Sequence, residues 1–313
     1  MSYLTSSGPK ADSTLGLTWG LLIISIVVVV AMSALVLWAV FRSRAPGESS
    51  APSMPSHEPS SFNIFGWGLA TTILILVVCV AWTMVTLAAI DRPAKTPALT
   101  IEVTGNQWWW QVRYLSDEPA KTFVTANEIH VPVGEPVRVK LRSDDVIHSF
   151  WIPALAGKTD LIPGQVNTTW LEARKAGTYL GTCAEYCGLQ HAHMGIRVIA
   201  EAADKFEAWR DNQLKAPAPA TSDDLKMGAA AFSRRCAACH TVLGTTAGGI
   251  LGPNLSHLMS RETLAAGEIP NDEGDLAGWI ADPQQIKPGT QMPKIELTGD
   301  ELQAITTYLI SLK

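Results

Sequence analysis

Charge is scarce in this sequence, and it is missing unevenly. Only 17% of the 313 residues are Asp, Glu, Lys or Arg, against roughly 25% in a soluble domain. None falls between Leu17 and Phe41 or between Phe62 and Ile90, which excludes a fully soluble protein. Positive charge is short as well: 24 Lys plus Arg face 29 Asp plus Glu, so there is no basic footprint for nucleic acid. A disulfide ladder is also missing. The five cysteines are Cys79, alone in an apolar run, and two close pairs, Cys183/Cys187 and Cys236/Cys239. Close pairs with a histidine nearby suit metal or haem attachment better than loop closure. No internal repeat is visible, and the Pro- and Ser-rich stretch 46–61 is merely low in complexity.

The two uncharged runs hold 25 and 29 residues, enough for helices of about 37 and 43 Å at about 1.5 Å per residue. Either crosses a hydrocarbon core of about 30 Å, and buried helices of a soluble domain rarely run so long without charge. Trp19, Trp38 and Trp67 lie near span ends as interfacial anchors should, whereas Trp82 lies deeper and is expected to pack on another helix, a hint of membrane partners. The first run exceeds the roughly 7–15 residues of a signal-peptide core and follows a weak basic flank, so a retained helix is expected. Arg42 and Arg44 on the connecting loop are matched by Lys10, Arg92 and Lys95 on the outer flanks, and flanking charge therefore leaves the orientation open.

Beyond residue 92 the composition becomes that of a soluble protein. Short β-rich segments at Thr100–Val103, Trp108–Tyr114, Val137–Leu141, Thr168–Glu172 and Ile196–Ile199, with a turn at Pro132–Pro136, predict an all-β sandwich or barrel over 98–200. A short helix at Lys205–Leu214 and an alternating Ala/Pro linker fill 201–222. Helical segments at Leu225–Arg234, Leu276–Ala281 and Asp300–Leu312 predict a small helical domain over 223–313. The net charge of −5 lies in this tail: residues 1–200 carry 14 basic and 14 acidic side chains, and residues 201–313 carry 10 and 15. Such a surface could dock a basic carrier or simply be solvated.

Two constellations carry chemistry. Cys183, Cys187, His191 and Met194 share one loop, and His148, at the end of a β segment upstream and free to approach from a neighbouring strand, is the candidate to join them. Thiolate, imidazole and thioether together suit electron-transfer copper. A mononuclear blue-copper site needs one thiolate, so the second cysteine points to a dinuclear centre; structural zinc and a strained disulfide are the rivals. His193 is expected to be peripheral to the site and His130 to be structural. The second constellation, Cys236-Ala-Ala-Cys239-His240, has the form of covalent haem attachment. Met292, in Gly289-Thr-Gln-Met292-Pro293, is the expected distal ligand, with Met227, Met259 and His257 as poorer candidates. An iron with both axial positions filled carries electrons rather than binding oxygen.

The pattern Cys183-x-Glu185-x-Cys187-x-x-x-His191-x-x-Met194, with His148-Ser-Phe-Trp-Ile-Pro upstream, resembles the CuA site of subunit II of haem-copper terminal oxidases. Residues 223–313, with Cys236-Ala-Ala-Cys239-His240, Gly252-Pro253-Asn254-Leu255 and Met292-Pro293, resemble the cytochrome c domain that one branch of these oxidases fuses to subunit II. The resemblance implies a two-helix transmembrane hairpin (1–92, helices about 17–41 and 62–90), a cupredoxin domain (98–200), a linker, and an all-α class I cytochrome c domain (223–313). It implies that Cys183 and Cys187 bridge two coppers, one completed by His148 and Met194, the other by His191 and the Glu185 carbonyl. The Glu185 side chain would reach a magnesium or manganese ion at a subunit interface. Trp108 would receive electrons, and Pro253 would orient His240 through its carbonyl.

The same resemblance implies that residues 93–313 face the periplasm or exterior of a bacterial plasma membrane. The partners would be a catalytic subunit I that reduces oxygen to water and pumps protons, other membrane subunits, and a donor such as cytochrome c or a respiratory complex. Electrons would pass from that donor to haem c, to CuA, and on to haem of subunit I. The CuA ligands set the chain apart from quinol oxidase subunits. Two alternatives stay open: the electron-input subunit of a CuA-containing nitric oxide reductase, and a stand-alone membrane-anchored shuttle or copper-delivery protein. One departure stands out. Where many members carry a glutamate three residues before the tryptophan of the second span, this chain has Ile64, which puts proton uptake through this subunit in doubt.

Overall fold

The computed structural model describes residues 3–42 and 59–313, with the side chains of 59–62 and 64 outside that set. The Ile64 side chain lies outside the described residues. The chain separates into two compact units, Asp12–Arg92 and a second formed by Met1–Ala11 with Pro93–Lys313. Composition groups the first residues with the hairpin; contacts group them with the soluble domains. Ser7 accepts from the Arg174 amide (3.0 Å) and donates its own to Ala154 (2.7 Å). Gly8 is required there, because a Cβ would stand 2.3 Å from the Glu172 carbonyl.

Helices α1 (Pro9–Phe41) and α2 (Pro59–Asp91) are 33 residues each and apolar all round, as a membrane span must be. Thr18, Ser25, Thr72 and Thr83 turn their hydroxyls back onto the carbonyl four residues earlier, which satisfies them without water. Trp82 packs within the hairpin: a Cβ on Gly20 of α1 would fall 2.0 Å from its ring. Its depth therefore needs no partner subunit to explain it. Cys79 is a free, half-buried thiol on α2.

The β domain is a sandwich of two five-stranded sheets. One is ordered β3 (Phe123–Ala126), β2 (Trp109–Leu115), β1 (Leu99–Asn106), β5 (Val137–Ser143), β8 (Asn167–Leu171); the other β4 (Glu128–Pro132), β10 (Gly195–Glu201), β9 (Gly177–Cys183), β6 (His148–Trp151), β7 (Thr159–Leu161). Strand β5 shows the cause. Val137, Val139 and Leu141 point into the core while Arg138 and Arg142 point out, the period-two pattern of a half-buried strand. His130, on β4, is structural as expected: it is buried, stacks on Trp209 at 4.0 Å and bonds Glu201 at 3.0 Å. Trp209 lies on α3 (Ala203–Gln213), which covers one end of the core.

The last domain is built on α4 (Asp223–Arg235), capped by Ser222, and α7 (Gly299–Ile310), which opens with a Thr298/Glu301 capping box. These helices approach closely because position 228 is glycine; a Cβ there would lie 2.2 Å from the Ala304 carbonyl. Helices α5 (Glu273–Ala281) and α6 (Pro283–Ile286) and the two-residue strands β11 (Thr263–Leu264) and β12 (Ile269–Pro270) complete it. The domain rests on the sandwich through β11 and its flanks. Glu128 Oε1 accepts from the amides of Glu262 (2.8 Å) and Thr263 (3.1 Å), Gly195 donates to the Ala266 carbonyl (2.9 Å), and Arg197 pairs with Glu262 at 2.6 Å.

Candidate metal centres

The first centre forms where β6 and β9 run side by side, Phe150 opposite Cys183. His148 opens β6 rather than ending a strand, and is fully buried. The chain leaves β9 at Cys183, turns through Glu185 and Cys187, makes a 3-10 turn at His191–His193 and re-enters the sheet after Met194. The donors converge on two sulfurs. Cys183 Sγ lies 3.8 Å from Cys187 Sγ, 3.8 Å from His148 Nδ1 and 3.2 Å from the Glu185 carbonyl; Cys187 Sγ lies 3.7 Å from His191 Nδ1 and 3.9 Å from Met194 Sδ. Both cysteines are free thiols, not the disulfide that was one rival.

The surroundings orient each donor. His148 Nε2 meets Asp145 Oδ1 at 2.7 Å, leaving Nδ1 for the sulfur cluster. Asp145 is itself held by the amides of Gln107 and Val146, each at 2.6 Å. Gly105 makes room for the imidazole, since a Cβ there would approach it to 2.7 Å. The Cys183 amide donates to the Met194 carbonyl at 3.0 Å, and the Trp110 indole donates to the same oxygen at 3.3 Å. A thiolate at one cysteine is stabilised by the neighbouring S–H, which draws Cys183 far below the ordinary thiol range and holds Cys187 above it. Two thiolates so close require cations between them. Two soft sulfurs, two imidazoles, a thioether and a carbonyl in this arrangement fit a copper pair.

Trp108 lies in the turn between β1 and β2 rather than in a strand, after a cis peptide, and is buried. Its indole donates to the Cys187 carbonyl at 3.0 Å, beside the Gln107 side-chain amide at 2.7 Å. The Glu185 side chain is half exposed and meets Lys158 at 3.6 Å. His193 is exposed, in the 3-10 turn, and bonds Glu268 of the helical domain at 2.8 Å.

The second centre begins where α4 ends. Cys236 caps that helix, and the Cys239 and His240 amides bond back to its carbonyl at 3.1 and 3.0 Å, so the two thiols and the imidazole share one tight turn. His240 Nδ1 bonds the Pro253 carbonyl at 2.8 Å, which fixes the tautomer and leaves Nε2 free for iron. Burial lowers the His240 pKa and favours the neutral, ligating form, with the Pro253 carbonyl opposing more weakly. Gly252 admits the ring, a Cβ there lying 2.6 Å from its Cε1. The Met292 carbonyl and that of Thr290 both accept from the Gln284 amide at 2.8 Å, which moulds the loop that presents the thioether. An open cavity of about 360 Å³ is lined by Ala281, Leu302 and residues 294–297 just past Met292. The thiol pair, imidazole and thioether fit a covalent haem. His257 is spent elsewhere, bonding the carbonyls of Lys313 (2.8 Å) and Lys215 (3.0 Å). Met227 is exposed on α4, and Met259 packs on the domain core.

The sequence reading assigned no role to Asp145 or Gln107. A carboxylate three residues before a ligand histidine is a usable signal; Gln107 carries none.

Residues 114–201 match the family described as the periplasmic domain of cytochrome c oxidase subunit II, and residues 225–313 match the cytochrome c family. The cytochrome c oxidase subunit 2 of Alkalihalophilus pseudofirmus is 33% identical over 325 aligned positions, spanning 100% of this chain and 91% of that one. The subunit 2 of Bacillus sp. strain PS3 is 32% identical over 87% of this chain and 80% of its own length. Among solved structures, the periplasmic domain of subunit II of the cytochrome oxidase of Bradyrhizobium japonicum is 34% identical over 39% of this chain and 96% of that chain, with a TM-score of 0.36.

Proposed function

The chain belongs to the cytochrome c oxidase subunit II family, and on that premise we propose that it is the electron-input subunit of a proton-pumping terminal oxidase, carrying electrons from a donor to haem c, to a dinuclear CuA centre and on to haem of a catalytic subunit I. One observation carries this reading: the imidazoles, the thioether and the Glu185 carbonyl all lie within 3.2–3.9 Å of one or other of two sulfurs. When bound, the copper pair and the haem supply one-electron carriage with little rearrangement. The chain supplies the rest. Cys183, Cys187, His148, Met194, His191 and the Glu185 carbonyl would hold the copper pair between them. Asp145 holds the His148 ring, and the sandwich core keeps water out. Cys236 and Cys239 would hold the haem and His240 and Met292 its iron, and the Pro253 carbonyl keeps His240 Nε2 unprotonated. Trp108, bonded to the Cys187 carbonyl, receives the electron from the haem domain.

The Glu185 side chain, half exposed beside Lys158, would exchange that partner for a magnesium or manganese ion at the interface with subunit I. The hairpin is a two-pass anchor in a bacterial plasma membrane. The compact unit that contains both the first eleven residues and 93–313 supports placing both ends of the hairpin on one side, periplasmic or external.

The test is metal and optical analysis of the purified chain together with gas uptake by its complex. About two coppers per iron, covalent haem and oxygen consumption are expected. Zinc in place of copper overturns the electron relay. Nitric oxide reduction without oxygen uptake replaces the oxidase reading, and purification without any large membrane partner replaces it with a shuttle or copper-delivery role.

A further inference from the structure

Lys287 belongs to the helical domain but ends inside the other one. It follows α6 in the loop that leads to Met292, and only 2% of it is exposed. Its Nζ donates to three carbonyls: Trp108 (2.9 Å) and His193 (2.6 Å) of the sandwich, and Ala265 (2.8 Å) of its own domain. Burial pulls the ammonium down to about 8, with Glu268 and Cys187 opposing, so at neutral pH it stays charged. A buried ammonium is costly unless all its donors are used, and here three oxygens from two domains use them. The next residues seal the joint. The Pro288 carbonyl accepts from the Gln190 side chain at 2.7 Å, and a Cβ on Gly289 would stand 3.8 Å from the Trp108 ring and 2.9 Å from Leu189. The linker does not swing freely either, because the Lys215 carbonyl is held by His257.

We infer that Lys287 is a positioning residue: its three-carbonyl lock fixes the helical domain as a stationary electron donor over Trp108, rather than one tethered and swinging on residues 214–222. The inference rests on the electron-relay reading above. One electron leaves the haem and one arrives at the copper pair; no bond or proton changes hands. In the locked arrangement that transfer needs no domain motion. Lys287→Met keeps the length of the side chain and removes its charge and all three bonds.

The test photoreduces the haem of the full-length holoprotein and follows transfer to copper as solvent viscosity is raised, alongside hydrogen exchange of the Gly195 amide, which bonds the Ala266 carbonyl across the joint. The unaltered protein should transfer at a rate independent of viscosity. Lys287→Met, with its haem and copper spectra retained, should transfer more slowly and in a viscosity-dependent way, and exchange at Gly195 should quicken by about tenfold or more. A lysine that only adds stability would leave the transfer viscosity-independent. A viscosity-dependent rate in the unaltered protein overturns the lock whether or not the variant folds, and so does a variant indistinguishable from it. If no electron reaches copper in the unaltered protein, the relay itself fails, and the lock is then judged by exchange at Gly195.

Discussion

The two metal centres are built by opposite strategies. The copper site is held by the sandwich's own bonds: His148 is immobilised by Asp145, Met194 by the bonds to its carbonyl, and both cysteines by strand and loop. The haem site is a rim. Its cysteines and His240 sit on one turn and Met292 on a loop 52 residues later, and all four are only half-buried. The copper domain should therefore keep its fold without copper, whereas the helical domain depends on the haem for part of its core.

The sharpest way to break that contrast is to remove each attachment. Cys236→Ala with Cys239→Ala should cost the helical domain its haem and most of its cooperative unfolding, while the copper absorption persists; calorimetry and visible spectra report both. Equal loss of the copper signal would show the sandwich to depend on its neighbour. Asp145→Asn comes next. It frees the His148 ring and should weaken copper binding by about 10–100-fold with the β fold intact, read by competition with a chelator and by circular dichroism. Met292→Ala should lower the haem midpoint potential with the haem still attached; an unchanged potential would move the distal ligand elsewhere.

The smallest effect belongs to Glu128 at the joint. Burial, ahead of the opposing Arg261 charge and amide bonds, raises its pKa above the ordinary value. The folded protein therefore holds its proton over a window in which the unfolded chain has lost it, and stability falls as pH rises from the ordinary carboxylate value through the raised one. Glu128→Gln should remove that slope in pH-dependent melting, and Glu128→Leu should lose about 1–3 kcal/mol at any pH by abandoning the Glu262 and Thr263 amides.

Legibility in the sequence followed distance along the chain. The spans, the Cys183–Met194 loop and Cys236–His240 are local patterns whose chemistry is written in consecutive residues. The sandwich was legible as a class from β-rich segments, but β3, β4, β7 and β9 escaped because their burial is set by partner strands. Trp108 was read as strand and lies in a turn, and His148 was placed at a strand end and opens one. Lys287 left no trace at all: one lysine in a polar loop looks like any solvated charge until three carbonyls from two domains are brought around it.

The clasp of the first residues on the sandwich has a consequence for how the molecule is made. Lys10 bonds Thr169 at 2.6 Å across 159 positions of sequence, and Ser7 pairs with Ala154 and Arg174. This stretch is thus made well ahead of its seat, which lies 159 positions further along the chain in the case of Lys10. Contacts of such long sequence separation form late and slowly. Residues 7–10 therefore stay unanchored until the β domain has folded and offers Ala154, Thr169 and Arg174 as their partners.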